Sequence, residues 1–220
     1  MITPQGDACA RRGAAETIVA VADTLLGFLA RRWLLGVNLF VVLFLGGAFA
    51  APALAALGAS DLAGDVYRVY HATCHQWAFR SFFLFGPRPV LLAAEVGALG
   101  GDPFTFVGGQ NVGWKMAFCE RDLAIYTGLL GFGILYARRG RQLGRASLGL
   151  LPYLLLAAPM ALDGTTQLFG WRESTWELRL ATGLLFGLAS AWLLYPRVND
   201  ALQVASTPPP MPRLERTRQA

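Results

Sequence analysis

Charge, cysteine and histidine are all scarce in this sequence. Only 15% of its 220 residues are Asp, Glu, Lys or Arg, against about a quarter in a soluble domain. With 55% hydrophobic residues and long uncharged runs, that deficit excludes an ordinary soluble domain and points to an integral membrane protein. Three cysteines are too few for a disulfide scaffold. An uninterrupted apolar N-terminal core is also missing. Asp7, Glu16 and Asp23 break it up, and Arg31–Arg32 stand where a small-residue cleavage site would be, so no cleaved signal peptide is expected. Cys9 follows no apolar segment, which argues against a lipid anchor and leaves an idle thiol. Lysine is rare beside arginine within a net charge of +5. In a membrane protein such an excess orients the chain, and no nucleic-acid partner is expected.

What is present are four apolar stretches. Residues 33–57 hold no charge, and a helix needs about 20 residues to cross the hydrocarbon core. Further spans are expected at about 118–137, 146–162, where Pro152 and Pro159 should bend the helix, and 175–195, ended by Pro196. Residues 14–30 read as an amphipathic helix at the inner interface. Residues 89–100, too short to span, read as a re-entrant or surface hairpin, and residues 100–113 as a Gly/Pro-rich loop. Arg11, Arg12, Arg31 and Arg32 precede the first span. Arg138, Arg139, Arg141 and Arg145 fill the link between the second and third. Arg197, Arg213, Arg216 and Arg218 follow the fourth. These are 12 of the 19 basic residues, and alternate crossing puts them on one side, which the positive-inside rule makes cytoplasmic. The expectation is an all-α integral membrane protein: a bundle of about four transmembrane helices, N-in and C-in, with an amphipathic N-terminal helix and a long outer loop. Its parts are a cytoplasmic segment 1–32, a membrane domain 33–196 and a disordered basic tail 197–220, in the cell (inner) membrane.

That topology turns residues 58–119 and 163–177 outward, and the residues able to do chemistry collect there. The stretch VYHATCHQWAFRS, residues 69–81, holds both histidines. It has no Pro or Gly, so a helix is expected to carry His71 and His75 on one face with Cys74 beside them. Cys74, His75 and Cys119 are candidate ligands for Zn or Fe. A Cys74–Cys119 disulfide is the second reading, since oxidation is normal outside the membrane and a 45-residue loop gains from closure. Two packed thiols with hydrogen-bonded histidines are the third. In FCERDLAIYTG, residues 118–128, Asp122 suits a helix N-terminus, and Arg121 is either an interface anchor or, with Arg80, an anion ligand. In DGTTQLFGWRESTWELRLATG, residues 163–183, Ser174 and Glu177 fit a capping box starting the last span. Asp163 is expected to pair with Arg179, because an ionisable group at membrane depth seeks a partner. Gly183 and Gly187 form GxxxG, and Gly128, Gly131 and Gly133 thin the second span, which suggests close helix packing.

These three motifs together resemble a prokaryotic membrane-protein family known as domain of unknown function 2085. The resemblance covers roughly residues 67–195. It rests on Cys74, His75, Gln76, Arg80 and Ser81; on Cys119 and Arg121; and on Asp163, Gly164, Gln167, Arg172, Ser174, Arg179, Thr182 and Gly183. It implies a four-helix membrane architecture and no particular reaction. Family members commonly carry a further cysteine just after the Cys-x-Arg motif, where this chain has Asp122. His71 lies outside the pattern.

Three functions follow. The first is an envelope-facing redox or metal site: Cys74 and Cys119 as thiol pair or ligands, His75 as ligand or base, arginines lowering the thiol pKa, and a quinone as electron partner. The second is a phosphate or lipid-headgroup site built from Arg80, Arg121, Arg172 and Arg179, with His75 and Asp163 for acid–base work. The third is a non-catalytic membrane subunit or assembly factor with a membrane-protein partner or a second copy of itself. In each, Gln76, Gln167, Ser174 and Thr182 support the site and the lipid bilayer surrounds it.

Overall fold

The structure is a computed structural model and describes residues 4–143 and 147–205. Two compact units divide the chain: Leu34–Pro196, which carries every residue of the candidate site, and residues 1–33 with 197–220. Helices dominate the described residues: α1 (Pro4–Ala56), α2 (Ser60–His71), α3 (Ala93–Ala98), α4 (Glu120–Leu143), α5 (Leu150–Leu168) and α6 (Trp176–Ala205). Each of the four expected spans falls largely within one helix: α1, α4, α5 or α6. Two of these are long and apolar enough to cross a membrane, through residues 20–56 of α1 and 176–204 of α6.

Several boundaries differ from expectation. No break separates residues 14–30 from the first span, because that segment holds no residue between Gly13 and Pro52 that forces one, and one helix covers both. Pro152 stands in the first turn of α5, where its missing N–H costs nothing, while Pro159 lies inside the helix. Pro196 does not end α6. It is buried inside a helix that continues to Ala205, so residues 197–205 are helical rather than a disordered tail. The remainder of the expected tail, 206–220, lies outside the described residues.

The segment between α2 and α4 is not all helix. β1 (Phe83–Leu84), β2 (Gly108–Gly109) and β3 (Gly113–Lys115) form an antiparallel sheet in the order β1-β3-β2, with Phe83 opposite Lys115 and Gly109 opposite Gly113. Gly113 turns the chain at φ +84°, where an added Cβ would collide with the Leu84 carbonyl, so only glycine fits there. The expected hairpin at 89–100 is instead the short helix α3, opened by Glu95, whose carboxylate accepts the Leu92 N–H at 2.7 Å and an Arg88 N–H at 2.8 Å. Phe83, Leu91 and Val96 pack into a small core below it.

Two packing contacts place the elements that carry the site. First, Tyr70 of α2 lies over Gly47 of α1 and donates its hydroxyl proton to the Phe44 carbonyl at 2.6 Å. Its ring joins Phe44, Phe118 and Tyr126 in a cluster with centroids 5.0–5.3 Å apart, a favourable spacing for stacked and edge-on rings. Second, α4 and α6 meet backbone to backbone. A Cβ on Gly128 would lie 2.7 Å from the Leu184 carbonyl oxygen, one on Gly183 would lie 2.8 Å from that of Arg121, and one on Gly187 would overlap that of Ile125. Small residues permit this approach in a membrane, where helices gain little from apolar burial. Gly131 faces open space.

Gly187→Val therefore forces α4 and α6 apart and should lower stability by roughly 2 kcal/mol, the usual cost of overpacking. Gly131→Ala should leave it unchanged or raise it slightly. Thermal unfolding of both variants in detergent tests the difference.

Candidate functional site

The three sequence motifs meet at one pocket of about 400 Å³ within the 34–196 unit, whose lining includes Cys74, His75, Gln76, Arg80, Cys119, Arg121, Asp122, Gln167 and Arg179. The first motif is not the helix that was expected. α2 stops at His71, and residues 72–77 turn away, with Gln76 in the left-handed region at φ +56°. Nothing in the local sequence breaks the helix. Tertiary hydrogen bonds do: the Cys74 sulfur accepts the Cys119 N–H at 3.2 Å, and the buried Gln76 amide donates to the Tyr67 carbonyl at 2.9 Å. His71 and His75 thus do not share a helix face. His75 is exposed and packs near Trp77, with ring centroids 5.6 Å apart.

Cys119 sits immediately before α4, and its sulfur accepts the Asp122 N–H at 3.4 Å. That is the position and the bond of a helix N-cap. Both Cys74 and Cys119 are free thiols, so the disulfide, one of the three readings of the pair, is not formed. Cys74 Sγ, Cys119 Sγ and an Asp122 carboxylate oxygen lie within 4.8 Å of one another. His75, expected as a third ligand, is not part of that cluster because the turn at 72–77 carries it to the pocket rim.

The charged residues pair differently from expectation. Asp163, 2% exposed, accepts from both Arg121 and Arg172 and not from Arg179. Arg179 lies one turn into α6 and reaches Glu120 at 2.6 Å, the Ser174 carbonyl, and Glu173 at 3.6 Å. Glu120 is fully buried at 0% exposure. Arg80 closes on Glu173 through two N–H bonds at 3.1 and 3.2 Å while its guanidinium lies 4.5 Å above the Trp77 ring. Gln167 links the two halves, accepting from Arg121 at 3.1 Å and donating to Glu173 at 2.8 Å. Each expected anion-binding arginine therefore has a carboxylate partner: four guanidiniums face Asp163, Glu120 and Glu173. Glu120 and Glu173 were missed in the sequence because neither type nor spacing separates them from surface acids.

Ser174 does not cap α6. Its buried hydroxyl reaches the Thr175 carbonyl at 3.3 Å, and Thr175 Oγ1 accepts the Leu178 N–H at 3.4 Å as the helix begins. Thr182 is buried and bonds the Leu178 carbonyl at 2.7 Å within its own helix, away from the pocket lining.

One further residue escaped sequence reasoning. Lys115, the only lysine in the chain, is 3% exposed and donates to the Gln76 carbonyl at 2.6 Å. The Tyr67 hydroxyl donates to the Lys115 carbonyl, and burial pushes the Tyr67 phenol well above its usual range. Burial likewise pulls the Lys115 ammonium down from 10.5 to about 8, while the neighbouring Cys74 acts in the opposite sense.

Two outcomes follow. Asp163→Ala leaves Arg121 and Arg172 without their shared carboxylate and should cost about 3 kcal/mol of stability, as for a broken buried pair, read by denaturant or thermal unfolding. The lowered Lys115 pKa means the unfolded chain holds more protons between pH 8 and 10.5. Stability should thus rise with pH across that window, the cost of burying the cation being fully present below it. Lys115→Met should flatten the rise in unfolding temperature.

Comparison with known proteins covers the second and third of these motifs with a family model. The family model described as "Predicted membrane protein (DUF2085)" matches residues 110–193. An uncharacterized protein of Methanocaldococcus jannaschii, MJ1492, is 33% identical over 172 residues, covering 76% of this chain and 92% of its own length. No solved structure matches. By its matched model and by this relative, the chain belongs to the DUF2085 family of predicted membrane proteins.

Proposed function

We propose that this protein is a four-span membrane protein, both termini cytoplasmic, whose outer face holds one thiophilic divalent metal ion, zinc or iron, between Cys74, Cys119 and Asp122. The domain limits are those of the sequence reading, with the last helix extended to Ala205. The observation that carries the metal reading is the convergence of two sulfurs and a carboxylate oxygen within 4.8 Å at the wall of a pocket. Tetrahedral ligands about 2.3 Å from zinc stand roughly 3.8 Å apart, so a small inward movement completes the set.

The chemistry of the donors fits. Thiolates select zinc and iron over magnesium or calcium. The hydrogen bond to Cys74 and burial push the Cys119 thiol well up while the Asp122 N–H acts in the opposite sense, so a metal must displace its proton on binding. The Cys119 and Asp122 N–H groups that point at the two sulfurs orient them, as outer hydrogen bonds do around metal ligands. Three protein ligands leave a fourth position toward the pocket, the pattern of a reactive rather than a sealed site. Bound there, the ion would act as a Lewis acid. Arg121 follows Cys119 by two residues and is held by buried Asp163, which fixes the start of α4 and with it the ligand spacing. The arginines are engaged by carboxylates, which favours this reading over a phosphate clamp made of guanidiniums alone.

Metal analysis of protein purified in native-like membranes under reducing conditions tests it. The expected result is about one zinc or iron per chain, lost in Cys119→Ser and retained more tightly in Asp122→Cys, which adds a softer ligand. Wild-type protein that holds neither metal and fails to take up added zinc sinks the proposal.

A further inference from the structure

A second cavity of about 300 Å³ lies on the other side of the residue 75–76 wall, between the end of α2, residues 104–107 and β3. Its character is opposite to that of the metal pocket. Lys115, Arg68, His71 and His75 contribute to its lining, with Tyr67 and Thr105 between them, and no aspartate or glutamate does. At its base is Lys115, 3% exposed. Its ammonium has three donors. The Gln76 carbonyl takes one at 2.6 Å, and the Tyr67 ring centre is 6.0 Å away. Among the described residues no carboxylate pairs with Lys115. A buried cation without a carboxylate is costly: the Cys74 sulfur is the neighbour that acts on Lys115 in the stabilising sense, whereas the buried cation Arg179 pairs directly with Glu120.

We propose that this cavity binds a phosphate group, with Lys115 at its base and His71, His75 and Arg68 at its rim. Lysine, arginine and imidazole donors from three separate segments suit an anion with several oxygens, and the Thr105 hydroxyl adds a neutral donor. Arg68 is tied only to exposed Asp65 on its own helix and turns to the ligand at little cost, since such a surface pair is weak. The volume is at the small end for ligand sites, so a single headgroup or a free ion fits better than an extended ligand. The site lies on the segment that the topology turns outward, where both inorganic phosphate and the phosphodiester of an anionic lipid are available.

The test uses full-length protein in phosphatidylcholine nanodiscs, titrated with inorganic phosphate by calorimetry, and a parallel set containing phosphatidylglycerol. Wild type should bind phosphate saturably. Lys115→Met should abolish binding, and the exposed pair Arg68→Ala/His71→Ala should weaken it by about tenfold, as expected for loss of one charge-assisted hydrogen bond. Cys119→Ser should bind phosphate as wild type does even where it has lost its metal, which separates this site from the metal site. Competition by phosphatidylglycerol assigns the site to a lipid headgroup; phosphate binding that phosphatidylglycerol leaves unchanged assigns it to the free ion. Wild-type protein that neither binds phosphate nor retains phosphatidylglycerol overturns the proposal. So does binding that the Arg68→Ala/His71→Ala pair leaves unchanged, a result that holds whether or not Lys115→Met folds.

Discussion

The polar end of the 34–196 unit depends on one carboxylate. Asp163, buried near the end of α5, is shared by Arg121 in the first turn of α4 and Arg172 in the link to α6. An isolated carboxylate in such a place would be expensive to keep charged, and two guanidiniums remove that cost while creating a demand of their own. The surplus cation is balanced through Gln167 and Glu173, which in turn engage Arg80 and Arg179. Helices in lipid gain little from burying apolar side chains against one another. Hydrogen-bonded charges can therefore fix how far one helix end stands along another, and here they do so at the point where Cys119 begins α4.

The two cavities divide the chemistry of residues 73–76 between them. On one side the Cys74 sulfur faces Cys119 and Asp122. On the other, the Gln76 carbonyl receives Lys115, and His75 lines both cavities. The left-handed backbone at Gln76 makes this division possible, because it reverses the chain within a few residues. A non-glycine residue there is strained, and the strain is held by the Gln76 side-chain bond to Tyr67 and by Lys115 on its carbonyl.

Much of this was legible in the sequence. The four apolar stretches each correspond to a helix, and the three motifs do meet at one pocket, because run length and the order of the motifs limit where the chain can go. The glycines at 128, 183 and 187 marked a real helix contact. What the sequence could not carry was partner choice. Asp163 had three arginines within reach, and which ones it takes depends on how α4 and α5 are set side by side. The end of α2 was equally hidden, since residues 69–81 contain no breaker and the helix yields to a bond from Cys119, 45 positions away, and to one from Gln76 back to Tyr67. The small sheet around Gly113 was concealed by strands only two or three residues long. Lys115 drew no notice because a single lysine in a loop normally sits in water.

The glycine contact between α4 and α6 has a consequence for how the family can vary. Where two helices come together at glycines, as at 128, 183 and 187, their local separation is set by main-chain atoms that every residue possesses. Side chains on the outer surfaces of those helices take no part in the measurement. They are free to change with the thickness and composition of the surrounding lipid, while the distance from Cys119 and Arg121 to Arg179 stays constant. The contact acts as a gauge block: it isolates the geometry of the polar end from the drift of the apolar surface.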